Sequence, residues 1–134
     1  MRARSFGAVI AGALVVIVVT TIVDVVLHIS GFYPPMGQAI SDTQAIVATA
    51  YRAVFGILGG WVTARIAPDR PMKHALALGY VGVALGLIGL AVTWNKGFGP
   101  RWYPIALVVL AIPEALIGAK IYEARARAPG VGEA

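Results

Sequence analysis

The chain has 134 residues, of which 59% are hydrophobic and only 13% are charged, and its formal net charge is +5. An average soluble domain is about one quarter charged, and disordered chains are rich in charge and poor in apolar residues, so both classes are excluded. The sequence contains no cysteine, which also excludes disulfides, iron–sulfur clusters and thiolate zinc sites. The composition therefore indicates an integral membrane protein.

Four stretches of the chain are long and apolar enough to cross a bilayer, which takes about 20 residues in a helix. Their apolar runs are continuous, without the alternation of β-barrel strands. We therefore predict an all-α membrane protein, a single four-transmembrane-helix bundle that fills residues 1–134. In chain order the predicted spans are Phe6–His28, Gln44–Ile66, Ala75–Asn95 and Pro104–Tyr122.

The connections between the spans carry recognisable local patterns. Ser41 and Gln44 form the pattern of a capping box at the start of the second helix. Residues 67–71 contain two prolines and predict a tight turn, so the second and third helices should form an antiparallel hairpin. The third connection predicts an aromatic belt at the level of the lipid headgroups, consisting of Trp94, Phe98, Trp102 and Tyr103.

The basic residues at the ends of the spans predict the orientation of the chain. One side of the bundle has eight Lys or Arg residues and the other has two; the richer side normally faces the cytoplasm. We therefore expect both termini in the cytoplasm of a bacterial cell, with the cytoplasmic membrane as location. The positive charge then reflects topology and contact with the lipid bilayer, and no nucleic-acid partner is expected. The eight residues are Arg2, Arg4, Arg65, Arg70, Lys73, Lys120, Arg125 and Arg127.

Small residues recur at spacings of three and four along the second and third helices. Such spacing keeps one stripe on one face, and helix interfaces in lipid collect small residues that allow close approach. We expect both stripes to face the interior, where each is a candidate partner of the other. Helix contacts within a homo-oligomer or a larger membrane complex are the alternative. The predicted packing glycines are Gly56, Gly59, Gly60, Gly79, Gly82, Gly86 and Gly89.

Three ionisable residues fall within the predicted spans. Arg52 lies roughly 12 Å inward along the second helix and Glu114 roughly 14 Å inward along the fourth. A lone charge at mid-bilayer costs about 2.5–3.5 kcal/mol on insertion scales, so two opposite charges at one depth should pair. We therefore predict a buried Arg52–Glu114 ion pair, which Asp24 could join from above.

Further polar residues surround this predicted pair. Thr20, Asp24 and His28 follow one another at intervals of four on the first helix and therefore share a face. Tyr51 adds a hydroxyl beside Arg52. Pro113, next to Glu114, removes a backbone hydrogen bond and predicts a kink in the fourth helix.

These residues leave several functions open. The polar network could be static and specify how the helices register, as in an accessory subunit of a membrane complex. The same residues could form a site for transport of an ion or small molecule, with Glu114 as the protonatable group. A small membrane enzyme would need an outer-face site made from Asp24, His28, Asp42 and Tyr33. We favour a non-enzymatic role and predict no catalytic residues.

The sequence predicts neither a cofactor nor a metal. His28 and His74 lie at opposite ends of the predicted bundle, so they cannot be the axial ligands of one haem. A metal site of Asp24, His28 and Asp42 is an alternative with little support. It offers three candidate ligands, the smallest number that zinc takes, and one of them lies on a loop.

The segment around the predicted hairpin reads GGWVTARIAPDRPMKHAL and covers residues 59–76. It resembles a segment of small four-helix integral membrane proteins of bacteria that have no assigned activity. The resemblance is limited to this hairpin and the overall layout, and it implies a fold without a function. Small multidrug carriers also have four helices, but their carboxylate lies midway along the first helix, whereas Asp24 lies near the outer end.

Overall fold

The computed structural model describes residues 2–35, 38–97 and 99–127. Within these ranges the chain forms four α-helices and no β-strand, and each helix is long and apolar enough to cross a membrane. The predicted all-α fold with four spans is confirmed; each observed helix begins before the predicted span. The helices are α1 (Arg2–Ile29), α2 (Asp42–Ile66), α3 (Pro71–Thr93) and α4 (Trp102–Arg127).

The starts of α2 and α3 follow from local residue chemistry. The Ser41 side chain accepts a hydrogen bond from the Gln44 backbone at 3.2 Å, and the Gln44 side chain accepts one from the Ser41 backbone at 2.7 Å. The predicted capping box is therefore confirmed. Pro71 is the first residue of α3, where its missing N–H costs nothing, and Arg70 before it turns the chain with a positive φ of 43°.

The end of α1 determines where the following connection lies. Gly31 adopts a φ of 85°, a left-handed conformation that glycine enters without strain. The chain then folds back, so that the Tyr33 backbone N–H donates to the Leu27 carbonyl at 3.2 Å. This turn places the Tyr33 ring 5.1 Å from the His28 ring, over the end of the bundle.

Consecutive helices run in opposite directions, and the most extensive helix contact is between α2 and α4. Helix α2 packs against α1 and α4, and α3 packs mainly on α4, while α1 and α4 make no contact within the described ranges. We call the end with the chain termini and residues 67–70 the terminal end. There the Arg4 side chain donates to the Ile66 carbonyl at 3.2 Å. The opposite end, with connections 30–41 and 94–101, is the loop end.

Near the terminal end the helices approach until their backbones touch. A Cβ on Gly60 would lie 2.2 Å from the Ala115 carbonyl oxygen, and one on Gly118 would lie 2.0 Å from the Ile57 carbonyl oxygen. So close an approach requires a residue without a side chain on one of the two helices, which is how helices gain contact area in lipid. A core of small residues with one leucine fills this half: Ala64, Ala75, Leu78, Ala115 and Ala119.

The stripes of small residues on α2 and α3 face the interior but not each other, so that part of the packing prediction was wrong. Gly79, Gly82 and Gly86 of α3 lie against Ile112, Ala111 and Val108 of α4. On α2, Gly56 and Gly60 also face α4, and Gly59 faces α1. The reason is that α2 and α3 each pack more extensively against α4 than against each other. Gly89 has open space around it.

The loop end carries the predicted aromatic residues. The guanidinium of Arg101 lies 4.5 Å from the centre of the Trp94 ring, and the Trp102 indole donates to Asp42 at 2.9 Å. Tyr103 turns toward the interior instead of the headgroup level. Phe98, the fourth residue of the predicted belt, lies outside the described residues.

Candidate functional site

An ion pair between α1 and α2 lies in the loop-end half of the bundle. The Arg52 guanidinium donates to one Asp24 oxygen at 2.6 Å, and about 30% of each side chain is exposed (31% and 27%). The Tyr51 hydroxyl donates to the other Asp24 oxygen. Both carboxylate oxygens are therefore occupied, and the charge of Arg52 is neutralised.

Two further tyrosines complete this group. The Tyr33 hydroxyl lies 2.6 Å from the Tyr51 hydroxyl, and the Tyr103 hydroxyl lies beside the Arg52 guanidinium. Tyr33 is only 6% exposed, and burial raises its pKa, so its hydroxyl keeps its proton at neutral pH. We call these five residues the Asp24 cluster: Asp24, Tyr33, Tyr51, Arg52 and Tyr103.

The predicted Arg52–Glu114 ion pair is wrong, because Arg52 pairs with Asp24. The estimate from the sequence matched the depths of the two Cα atoms only. The contact of Thr63 with Ala8 sets the register of α1 against α2 and places Asp24 about one turn nearer the loop end than Arg52. Helical side chains tilt toward the start of their helix, which for α2 is the loop end, so Arg52 reaches Asp24.

Glu114 lies deeper, one turn of α2 farther toward the terminal end. Its carboxylate packs on the backbone of Gly56, at a place where any Cβ would collide with it. Among the described residues it has no hydrogen-bond or ion-pair partner. Glu114 is therefore a carboxylate within the span that has no compensating charge.

The other predicted polar residues of α1 bind within their own helix or bind nothing. The His28 ring bonds to the Asp24 carbonyl at 2.8 Å. The Thr20 hydroxyl is buried without a hydrogen-bond partner in the described structure, as is Nε of Arg52. Thr49 and Thr93 differ from Thr20, because their hydroxyls donate to the carbonyl four residues earlier at 2.8 and 2.7 Å.

The fourth helix contains the proline for which a kink is predicted. Pro113 lies inside α4, which continues past it to Arg127, and a kink there stays a prediction.

The candidate metal ligands Asp24, His28 and Asp42 do not converge: in the described ranges no three His, Asp or Glu side chains come close enough to hold an ion. Asp42 instead accepts a hydrogen bond from Trp102.

A cavity of about 880 Å³ connects the Asp24 cluster with Glu114. Helices α1 and α3 make contact in the terminal half, where Leu78 reaches Gly12, and α1 and α3 both contribute to the cavity wall in the loop-end half. The wall combines the polar residues with apolar ones from all four helices and with both loop-end connections. Its members include Thr20, Asp24, His28, Tyr33, Tyr51, Arg52, Leu85, Gly89, Tyr103, Leu107, Ala111 and Glu114.

The sequence did not predict two members of the Asp24 cluster as one site with Arg52. From the sequence, Tyr33 is expected only at an outer enzyme site and Tyr103 only in the aromatic belt. Gly31, as a left-handed turn just after a helix, is the signal that could have placed Tyr33 over the cavity. No comparable signal exists for Tyr103, because its approach to Arg52 depends on how α4 rotates against α2.

Comparisons with known families, curated proteins and solved structures find no match. The geometry of the cavity must therefore indicate the chemistry by itself. A neutralised ion pair, three tyrosine hydroxyls and an uncompensated carboxylate can bind and orient a ligand.

Proposed function

We propose that the protein binds a small molecule in the cavity between its helices and transports it across or out of a bacterial cytoplasmic membrane. The observation that carries this proposal is the cavity itself, which joins a polar cluster to a deeper carboxylate. Ligand sites typically have volumes of about 300–1,000 Å³ and apolar walls with a few convergent polar groups. The volume of about 880 Å³ lies in that range.

The distribution of basic residues supports an orientation for this transport. Residues at the terminal end include eight Lys or Arg, whereas Lys96 and Arg101 are the two at the loop end. By the positive-inside rule the terminal end lies in the cytoplasm and the loop end on the opposite side. The cavity, lined by both loop-end connections, then receives or releases its ligand on the outer side.

Single-cysteine labelling tests whether water reaches the cavity. The natural chain has no cysteine, so each introduced thiol is the only one that reacts. Ala111→Cys places a thiol on the cavity wall, and Val109→Cys places one on the outer face of the same helix, where Val109 is 65% exposed. Spheroplasts are treated with a charged, membrane-impermeant thiosulfonate, which reacts with the thiolate and does not enter lipid.

We expect Ala111→Cys to be labelled from outside and Val109→Cys to remain unlabelled. Ser30→Cys in the loop-end connection and Ala126→Cys near the end of α4 report the orientation, and only the first should react in intact spheroplasts. Absence of labelling at position 111 from either side of the membrane would contradict the transport proposal. Labelling at both positions 109 and 111 would show that α4 is not packed against its neighbours as described.

A structural role in a larger membrane complex is the second candidate. The observation that favours it is the Asp24 cluster, in which Asp24 and Arg52 neutralise each other inside one chain. A dry cavity in the labelling experiment, together with a protein that co-purifies stoichiometrically in mild detergent, would support this role. Native mass spectrometry of the same preparation reports partners, bound small molecules and the number of copies.

A further inference from the structure

We propose that the ligand is a small amphipathic organic cation, whose charged group pairs with Glu114 while its apolar part lies along α3. This inference rests on the proposed ligand-binding function and adds the chemical class of the ligand. It depends on the charge balance of the cavity, on its size, and on the nature of its wall.

The deeper part of the cavity contains one negative group without a partner. Asp24 and Arg52 lie 2.6 Å apart and cancel each other. Arg101 lies at the loop end, held against Trp94, and His28 bonds to the backbone of its own helix. Arg101 lines the cavity at that end. In the deeper part Glu114 has no partner among the described residues, so a cation that reaches this depth meets an uncompensated carboxylate, and the nearest positive group, Arg52, is already paired with Asp24.

The same balance explains why a cation would leave water for this site. An ionised carboxylate within the bilayer is costly unless it is paired, and a cationic ligand removes that cost at the moment it binds. Glu114 therefore provides both affinity and selection for positive charge.

The size and the wall of the cavity favour an organic cation over an inorganic one. A metal ion of the alkali or alkaline-earth series is held by six or more oxygens in a compact shell, and here one carboxylate faces a space of about 880 Å³. The wall of this cavity also contains Leu85 and Leu90 of α3, with open space at Gly89. Such a surface accommodates the apolar part of an amphipathic molecule.

Tyrosines stand at the loop-end side of this space. Tyr33 and Tyr103 both line the cavity, and the face of a tyrosine ring attracts a cation that comes within about 6 Å of its centre. An organic cation passing from the loop end would therefore meet aromatic faces before it reaches Glu114. These rings offset part of the repulsion from Arg101, which also lines the cavity at the loop end.

Two probes of nearly equal size and opposite charge test the inference. The protein in lipid nanodiscs is equilibrated with tetraphenylphosphonium or with tetraphenylborate, and empty nanodiscs of the same lipid give the background. We expect the cation to bind at least about tenfold more tightly than the anion, as one charge pair predicts. Glu114→Gln should remove that preference, and Glu114→Asp, which keeps the charge, should retain most of it.

Glu123→Gln is the matched control, since Glu123 is a carboxylate on the same helix that does not line the cavity. It should leave the preference for the cation unchanged. Equal or tighter binding of the anion would overturn the cation assignment while leaving the ligand-binding function intact. Binding of neither probe, together with an unlabelled Ala111→Cys variant, would overturn the ligand-binding function itself.

Discussion

The two halves of the bundle use opposite solutions to the problem of packing helices in lipid. In the terminal half, glycine and alanine bring backbones into contact, as at Gly60 and Gly118. In the loop-end half, tyrosines and charged residues stand between the helices and a cavity remains. Since lipid tails are as apolar as the side chains, helices associate through close packing or through hydrogen bonds. The terminal half relies on the former and the loop-end half on the latter.

The comparison shows why a site can exist in so small a membrane protein. A close-packed half fixes the helices relative to one another, and the other half is then free to separate around polar groups. The Asp24 cluster links α1 to α2 across that separation by an ion pair and tyrosine hydrogen bonds. Stability and binding are therefore assigned to different segments of the same helices.

The strongest way to break the terminal half is to add one methyl group. Gly118→Ala would put a Cβ 2.0 Å from the Ile57 carbonyl oxygen, and backbone atoms cannot yield as a side chain does. We expect a loss of about 3 kcal/mol in the free energy of unfolding, measured by reversible unfolding in mixed micelles, together with less protein in the membrane.

Gly89→Ala is the control for this substitution in the loop-end half. A Cβ on Gly89 meets nothing within 4 Å, and alanine is a better helix former than glycine by about 1 kcal/mol. The variant should therefore be as stable as the natural chain or slightly more stable. Equal losses at positions 118 and 89 would contradict the division of the bundle into a packed half and an open half.

The next effect in size concerns the ion pair of the loop-end half. Asp24→Ala leaves the Arg52 charge without its partner within the span, and we expect a loss of about 2 kcal/mol, since both groups are partly exposed and fully buried pairs lose more. Replacing both residues, as in Asp24→Leu with Arg52→Leu, should restore most of this stability. A double variant that is less stable than Asp24→Ala would show that the pair contributes net stability.

Much of the architecture could be predicted because it depends on short-range patterns. Four apolar stretches and the capping box at Ser41 and Gln44 are visible in the sequence, and each depends on residues within one or two turns. The polar face of Thr20, Asp24 and His28 follows from helical periodicity, and all three do line the cavity.

The partners of the charged residues could not be predicted in the same way. Depth along a helix gives the height of a Cα atom, but Arg52 is long enough to reach a full turn away from its own level. Its choice of Asp24 over Glu114 depends on the register of α1 against α2 and on which neighbours α4 has. Those are tertiary facts, and the contact of Tyr103 with Arg52 depends on them too.

A smaller effect is expected when the tyrosine bridge of the Asp24 cluster is removed. Tyr51→Phe deletes the hydroxyl that joins Asp24 to Tyr33, and a hydrogen bond to a charged group contributes about 1.5 kcal/mol. Unfolding in micelles should show a loss of that size. Tyr80→Phe removes the same hydroxyl from a residue that is 59% exposed and should change nothing; a similar loss there would mean that the method does not resolve the bridge.

The smallest changes in the free energy of unfolding are expected at two buried threonines, one in each half of the bundle. The Thr63 hydroxyl donates to the Ala8 carbonyl at 2.9 Å and joins α2 to α1, so Thr63→Val should cost about 1 kcal/mol. The Thr20 hydroxyl is buried without a partner in the described structure, so Thr20→Val, which has nearly the same shape, should be neutral or stabilising by up to about 1 kcal/mol. A loss at Thr20 equal to that at Thr63 would mean that this hydroxyl is satisfied by water from the cavity that Thr20 lines.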